Sequence, residues 1–171
     1  LHATVFDLPT TRPVAEATAR RFGLEYEPEG AASAASAANA ANAANAANAD
    51  SSASTDERRL AFVPGDYTRD ELPGGFDVAW LSHILHGEGP DMAARIVAKA
   101  ARGLNPGGVL LVHEFLLHDS LDGPEFAALF SLNMLLGTAG GQAYTQGEVQ
   151  GMLEGAGLTR VCRLGFAGPN D

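Results

Sequence analysis

Cysteine is nearly missing from this chain: of its 171 residues, only Cys162 carries a thiol. One thiol cannot close an internal disulfide or supply the cysteine cluster of a structural zinc site. Lysine is as scarce, with Lys99 alone beside ten arginines. Acids outnumber bases by 21 to 11, for a net charge of −10. A basic groove for nucleic acid is therefore not expected, and anionic membrane surfaces are disfavoured. Long apolar runs are missing too, since none nears the roughly 20 residues that cross a bilayer. None resembles a secretory core, so a cytoplasmic protein is expected. No G-x-S-x-G, P-loop or H-E-x-x-H string occurs, which removes the usual hydrolase, phosphoryl-transfer and zinc-protease signatures.

What is present is a hydrophobic fraction of 46% against 19% charged residues, the balance of a globular domain with a real core. Strand-like and helix-like segments alternate. Strands are predicted over 3–9, 59–67, 76–85 and 109–117, with a last one over 159–166. Helices are predicted over 12–24, 90–104, 124–137 and 145–158, and "NPGG" at 105–108 reads as a turn. Thr145 followed by Glu148 is a capping box. This alternation predicts a parallel sheet with helices on both faces, whose ligand site lies beyond the carboxyl ends of the strands. Asp7, Asp66, residues 82–86 and Glu114 all fall at such ends. The chain opens inside a strand-like run, so a segment upstream is expected.

Residues 27–56 differ in kind. Asn39, Asn42, Asn45 and Asn48 repeat every third residue in an alanine-rich tract. That period does not keep asparagine on one face of a 3.6-residue helix, and no large apolar side chain is present to dock it. A low-complexity insertion without chemistry is expected.

Asp7 suits the vicinal hydroxyls of a ribose, or equally a helix cap. Asp66, in "VPGDY", is either a turn residue or an acceptor for an exocyclic amine. His83 and His86, with Glu88 and Asp91 following, raise the question of a metal. Odd spacing along an extended strand sends the two imidazoles to opposite faces, so no metal site is expected. His86 is instead a candidate general base, the residue type most often used for proton abstraction at neutral pH. If the strands before His86 and Glu114 are neighbours, Glu114 can hold the imidazole's tautomer; otherwise it caps a loop. His113, beside Glu114, is expected on the other face.

In this order, "FDLP", "VPGDY", "FDVAWLSHILH", "LNPGGVLLVHEFLL" and "LNMLLGTAGGQAYTQGEVQGMLEGAGL" resemble the S-adenosylmethionine-dependent small-molecule O-methyltransferases. The group includes caffeic acid and acetylserotonin O-methyltransferases, and bacterial and archaeal relatives look nearest. The resemblance implies a Rossmann-like class I methyltransferase α/β sheet without its first strand and glycine-rich loop. Residues 1–171 then form the C-terminal part of a catalytic domain. It implies S-adenosyl-L-methionine as cofactor, held by Asp7 at the ribose, Asp66 and Tyr67 at the adenine, and Ser82 nearby. It makes His86 the catalytic base with Glu114 beside it, and Asn133, Met134 and Leu135 the lining of the acceptor pocket. The implied acceptor is a hydroxyl of an aromatic or polyketide-like small molecule, and the implied full-length protein is a homodimer. Three positions depart from the family. Its Leu-His-Asp-Trp stands here as Leu85-His86-Gly87-Glu88, and the second orienting acid of plant members falls at Ala143. The alternative reading is a non-catalytic or degenerate α/β module related to the methyltransferases.

One expectation concerns the alanine tract directly. Replacing residues 30–55 by a short Gly/Ser linker should leave the melting temperature nearly unchanged, because loop-closure entropy varies slowly with length. A fall of many degrees in a thermal melt would show that the tract docks.

Overall fold

The computed structural model describes residues 2–26 and 59–165, so the alanine-rich tract lies outside the described residues. The chain divides into two compact units, Leu1–Gly75 and Phe76–Asp171.

The first unit contains strand β1 (His2–Asp7), helix α1 (Arg12–Arg21), strand β2 (Glu25–Tyr26) and strand β3 (Arg59–Pro64). β3 lies in the middle, with β1 and β2 parallel on either side of it. α1 carries proline in its first turn, where no main-chain donor is lost, and Arg20 and Arg21 in its last, facing the negative end of the helix dipole. Gly23 then takes φ 65° and lets the chain turn back into β2. Ala19 of α1 is buried, as are Ala61 and Phe62 of β3. The Arg12 guanidinium lies 5.6 Å from the Phe62 ring centre, and its Nε donates to the Tyr26 hydroxyl at 3.2 Å. β2 was not expected, because two residues are too short to show a period.

The second unit contains β4 (Phe76–Ser82), α2 (Pro90–Arg102), β5 (Leu104–His113), α3 (Glu125–Gly137) and α4 (Gln146–Gly155). β4 and β5 are parallel, in a register that runs from Val78 opposite Val109 to Ser82 opposite His113. Ala93, Ile96, Val97 and Ala100 make one buried stripe along α2, the spacing of a helix with a single apolar face. α2 packs against α4, which buries Val149 and Leu153 one turn apart.

The parallel α/β class expected from the sequence is the one observed. The described strands form a three-stranded and a two-stranded sheet. Three local expectations are corrected. Residues 105–108 lie within the span of β5, where the pairing with β4 is irregular, Gly107 takes φ 84°, and Asn105 Nδ2 donates to Asp77 at 2.9 Å. β5 stops at His113, and Leu117 makes only an isolated bridge to Thr145. Residues 159–165 form no strand: Arg160 sits at φ 60°, which interrupts extended backbone.

The capping box is present in both directions. Thr145 Oγ1 accepts from Glu148 N at 3.1 Å, and Thr145 N donates to Glu148 Oε2 at 2.7 Å. Thr145 is also buried, so water cannot take over the helix-end donor it satisfies. Thr145→Ala should therefore lower stability by about 1 kcal/mol, measured as a shift in the urea midpoint at unchanged m-value.

Candidate active site

In the first unit, Asp7 is the last residue of β1 and lies opposite Pro64, the last of β3. Gly65 N donates to Asp7 O at 2.9 Å, so Asp7 and Asp66 both stand at the carboxyl end of that sheet. A side chain at position 65 would collide with the Phe6 ring, so this close turn needs glycine. Asp7 Oδ1 accepts from Leu8 N at 2.7 Å. Asp66 Oδ1 accepts from Thr68 N at 2.9 Å and Thr68 Oγ1 at 2.6 Å, and Asp66 N donates to Asp70 Oδ2 at 2.8 Å. Asp66 thus holds its own turn, one of its two sequence-based readings. Tyr67 follows, half-buried.

In the second unit, β4 ends at Ser82 because His83 takes φ 54°. Histidine is among the residues that tolerate left-handed backbone, at a cost of about 1–2 kcal/mol. The change of direction also cancels the alternation of a strand. His83 and His86, expected on opposite faces, have ring centres 5.9 Å apart. The His83 ring also lies 4.5 Å from that of His113 and 4.7 Å from that of Phe115. Burial pushes the His83 pKa down; the Glu114 carboxylate opposes this, and His113 and His86 add to it.

Leu85 to Gly87 then make one turn of 3₁₀ helix, with Leu85 fully buried. Glu114, one residue beyond β5, meets this turn with both oxygens. Oε1 accepts from Leu85 N at 2.7 Å, and Oε2 lies 2.6 Å from His86 Nδ1. The Glu114 side chain is only 3% exposed and that of His86 17%. An ionised carboxylate can only accept, so Nδ1 carries the proton and Nε2 keeps a lone pair. The pair expected from the two strand ends is therefore formed, with His86 in the tautomer of a base. Ser82 Oγ lies 3.3 Å from His113 Nδ1.

The far side of the site comes from α3 and the residues after it. Phe130 meets the His86 ring edge-on at 4.7 Å between centres, and Phe115, 4.9 Å from Phe130, continues the aromatic wall. Sequence reasoning missed Phe130, although its spacing of four from Phe126 marks a shared helix face. Asn133 and Leu135 are exposed and Met134 is half-buried. Gln142 N donates to His86 O at 3.0 Å, and a side chain on Gly141 would strike that same carbonyl. Tyr144 is buried and donates to Glu88 O at 2.5 Å; burial, reinforced by Glu148, Glu88 and Glu114, pushes its pKa to about 12. Glu88 and Asp91 do not share a metal-sized cluster with the histidines, whereas Glu114 does.

Each unit is a parallel α/β arrangement with polar residues at the carboxyl ends of its strands. The chain belongs to the O-methyltransferase domain family, whose sequence model matches residues 38–159. It is 39% identical over 111 residues to the 3-hydroxy-5-methyl-1-naphthoate 3-O-methyltransferase of Streptomyces sahachiroi, covering 65% of this chain and 32% of that protein. A crystal structure of an O-methyltransferase family 2 protein from Planctomyces limnophilus, in complex with apigenin, is similar at 31% identity and a TM-score of 0.69. That match covers 93% of this chain and 38% of the other. Human N-acetylserotonin methyltransferase in complex with SAM is similar at 25% identity and a TM-score of 0.60, over 92% of this chain and 35% of that one. The chain thus spans about a third of the length of the curated relative. The Rossmann-like methyltransferase fold expected from the sequence is that of these structures.

Glu114→Gln tests the tautomer. The amide oxygen would keep the Leu85 N–H bond, which turns the amide NH₂ toward His86 Nδ1 and forces the proton to Nε2. ¹⁵N chemical shifts of the His86 ring should show this inversion with little loss of stability. An Nδ1–H signal retained in the variant would refute the assignment.

Proposed function

We propose that the protein transfers a methyl group from S-adenosyl-L-methionine to a hydroxyl of an aromatic or polyketide-like small molecule. The observation that carries this reading is the His86–Glu114 pair, 2.6 Å apart and closed off from water on the Glu114 side. Nε2 of His86 takes the proton of the acceptor hydroxyl, and Glu114 stabilises the imidazolium that results. Positioning supplies much of the rate in an in-line displacement of this kind. The naphthoate 3-O-methyltransferase and the human enzyme solved with SAM support the reading by their similarity.

The residues of the first unit fit the cofactor's nucleoside. Asp7 presents a carboxylate at a strand's carboxyl end, the acceptor that ribose hydroxyls need. Asp66 stands at the same sheet end, in the turn that its own carboxylate holds, and is the adenine-side acid of this reading. Tyr67 supplies ring surface for the adenine; Ser82, which belongs to the second unit, is the further cofactor residue of this reading. When bound, the cofactor supplies an electrophilic methyl on a sulfonium. Met134, with Asn133 and Leu135, lines the acceptor pocket. The whole protein is a cytoplasmic homodimer in this reading, and the exposed free thiol of Cys162 suits a reducing compartment. No nucleic acid or membrane is a partner, in keeping with a net charge of −10. No helix among the described residues is long and apolar enough to cross a membrane.

General-base catalysis typically contributes about 10²- to 10⁴-fold, so His86→Ala in the whole protein should lower kcat by that order. Affinity for S-adenosylhomocysteine should hold, since Asp7 and Asp66 are untouched. Near-normal kcat, with methyl transfer rate-limiting, would remove His86 from the mechanism. Wild-type protein that turns over no phenolic acceptor would favour the non-catalytic module.

A further inference from the structure

We propose that His83, His86 and Glu114 form a binding site for a divalent transition-metal ion of the zinc type, and that such an ion and the proton on His86 Nδ1 exclude one another. Each residue offers one ligand atom, and the three atoms lie within 4.8 Å of one another. Two imidazoles and a carboxylate are the donor set such ions favour. Tetrahedral bonds of about 2.1 Å put ligand atoms about 3.4 Å apart, so small side-chain rotations close the triangle. Solvent completes the coordination, as in zinc sites that keep an open position.

The backbone gives the second reason. His83 reaches this cluster only because it sits at φ 54°, a conformation that glycine or asparagine adopts more readily. Burial keeps its imidazole neutral to lower pH, the form a metal needs. His113 faces the same cluster, with its ring 4.5 Å from that of His83, but its Nδ1 lies 3.3 Å from Ser82 Oγ. On binding, the metal replaces the proton between His86 Nδ1 and Glu114 Oε2. The displaced proton is taken up at Nε2 through solvent, so the ring stays neutral, its tautomer inverts, and Nε2 loses the lone pair it would need as a base. The binding stands independently of the methyltransferase reading. Inhibition by the metal rests on that reading, because the ion disables the imidazole that takes the acceptor's proton.

Cobalt(II) titration of the protein, followed by its visible d–d absorption and by displacement with zinc, tests the binding. One ion per chain is expected, with affinity falling as pH is lowered, because protons compete with the metal for the same ligand atoms. His83→Asn, which suits the left-handed backbone, should keep the far-UV circular dichroism and melting temperature yet weaken binding at least tenfold. His118→Ala, which alters an exposed histidine paired with Asp122, should bind as the wild type does. Absence of stoichiometric binding, or a His83→Asn variant that binds as tightly as wild type, would overturn the site. In the methyl-transfer assay, zinc should inhibit the wild type at concentrations that leave His83→Asn uninhibited. Zinc bound by spectroscopy with turnover unchanged overturns the inhibitory half. Metal bound with no methyl transfer in zinc-free wild type sinks the methyltransferase reading and leaves the site standing.

Discussion

The second unit depends on one buried carboxylate. Glu114 has almost no contact with water, and a buried charge left without partners is costly by several kcal/mol. It is stable because a main-chain N–H, from Leu85, and an imidazole N–H, from His86, meet its two oxygens. Both donors belong to one 3₁₀ turn, anchored by the fully buried Leu85 side chain. The loop after β4 and the residue after β5 are thereby tied together. The tie exists only in this register: Ser82 opposite His113 brings the two strand ends to the same level, and a slip of one residue would turn Glu114 to the other face.

Packing around that tie sets its strength. Phe130 and Phe115 cover one side of the pair with apolar surface, where a charge-assisted hydrogen bond is stronger than in water. Burial likewise disfavours a positive charge on His83, which is why its pKa is lowered despite the nearby carboxylate. Glu114 thus meets one imidazole of this cluster directly, and the geometry selects His86 for it.

Sequence patterns made the helices and the His86–Glu114 contact legible. The stripe of Ala93, Ile96, Val97 and Ala100 fixes which face of α2 is buried, and Thr145 with Glu148 marks the start of α4 to the residue. The approach of Glu114 to His86 followed from placing polar residues at the ends of neighbouring parallel strands. Other features had no periodic signal. β2 is two residues long. The turn-like Asn105–Gly108 run is taken up in the span of β5, since irregular pairing with β4 can absorb extra residues. His83 was misplaced because alternation holds only while backbone stays extended, and a single left-handed residue ends it. Phe130 lay in a helix apolar on most sides, so its sequence did not show which side would meet the site.

The absence of a second orienting acid at Ala143 has a structural counterpart. Ala143 is buried, and its N–H donates to Ser131 Oγ at 3.0 Å, so a longer charged side chain there would need both space and a partner. The second orienting role falls instead to groups that carry no charge. Phe130 limits rotation of the His86 ring from its edge, and Gln142 N holds the His86 carbonyl. A tautomer needs one acceptor, whereas a ring plane needs only contact. Glu114 supplies the acceptor, and the aromatic wall with the Gly141–Gln142 backbone supplies the contact, so one carboxylate is enough to orient this imidazole.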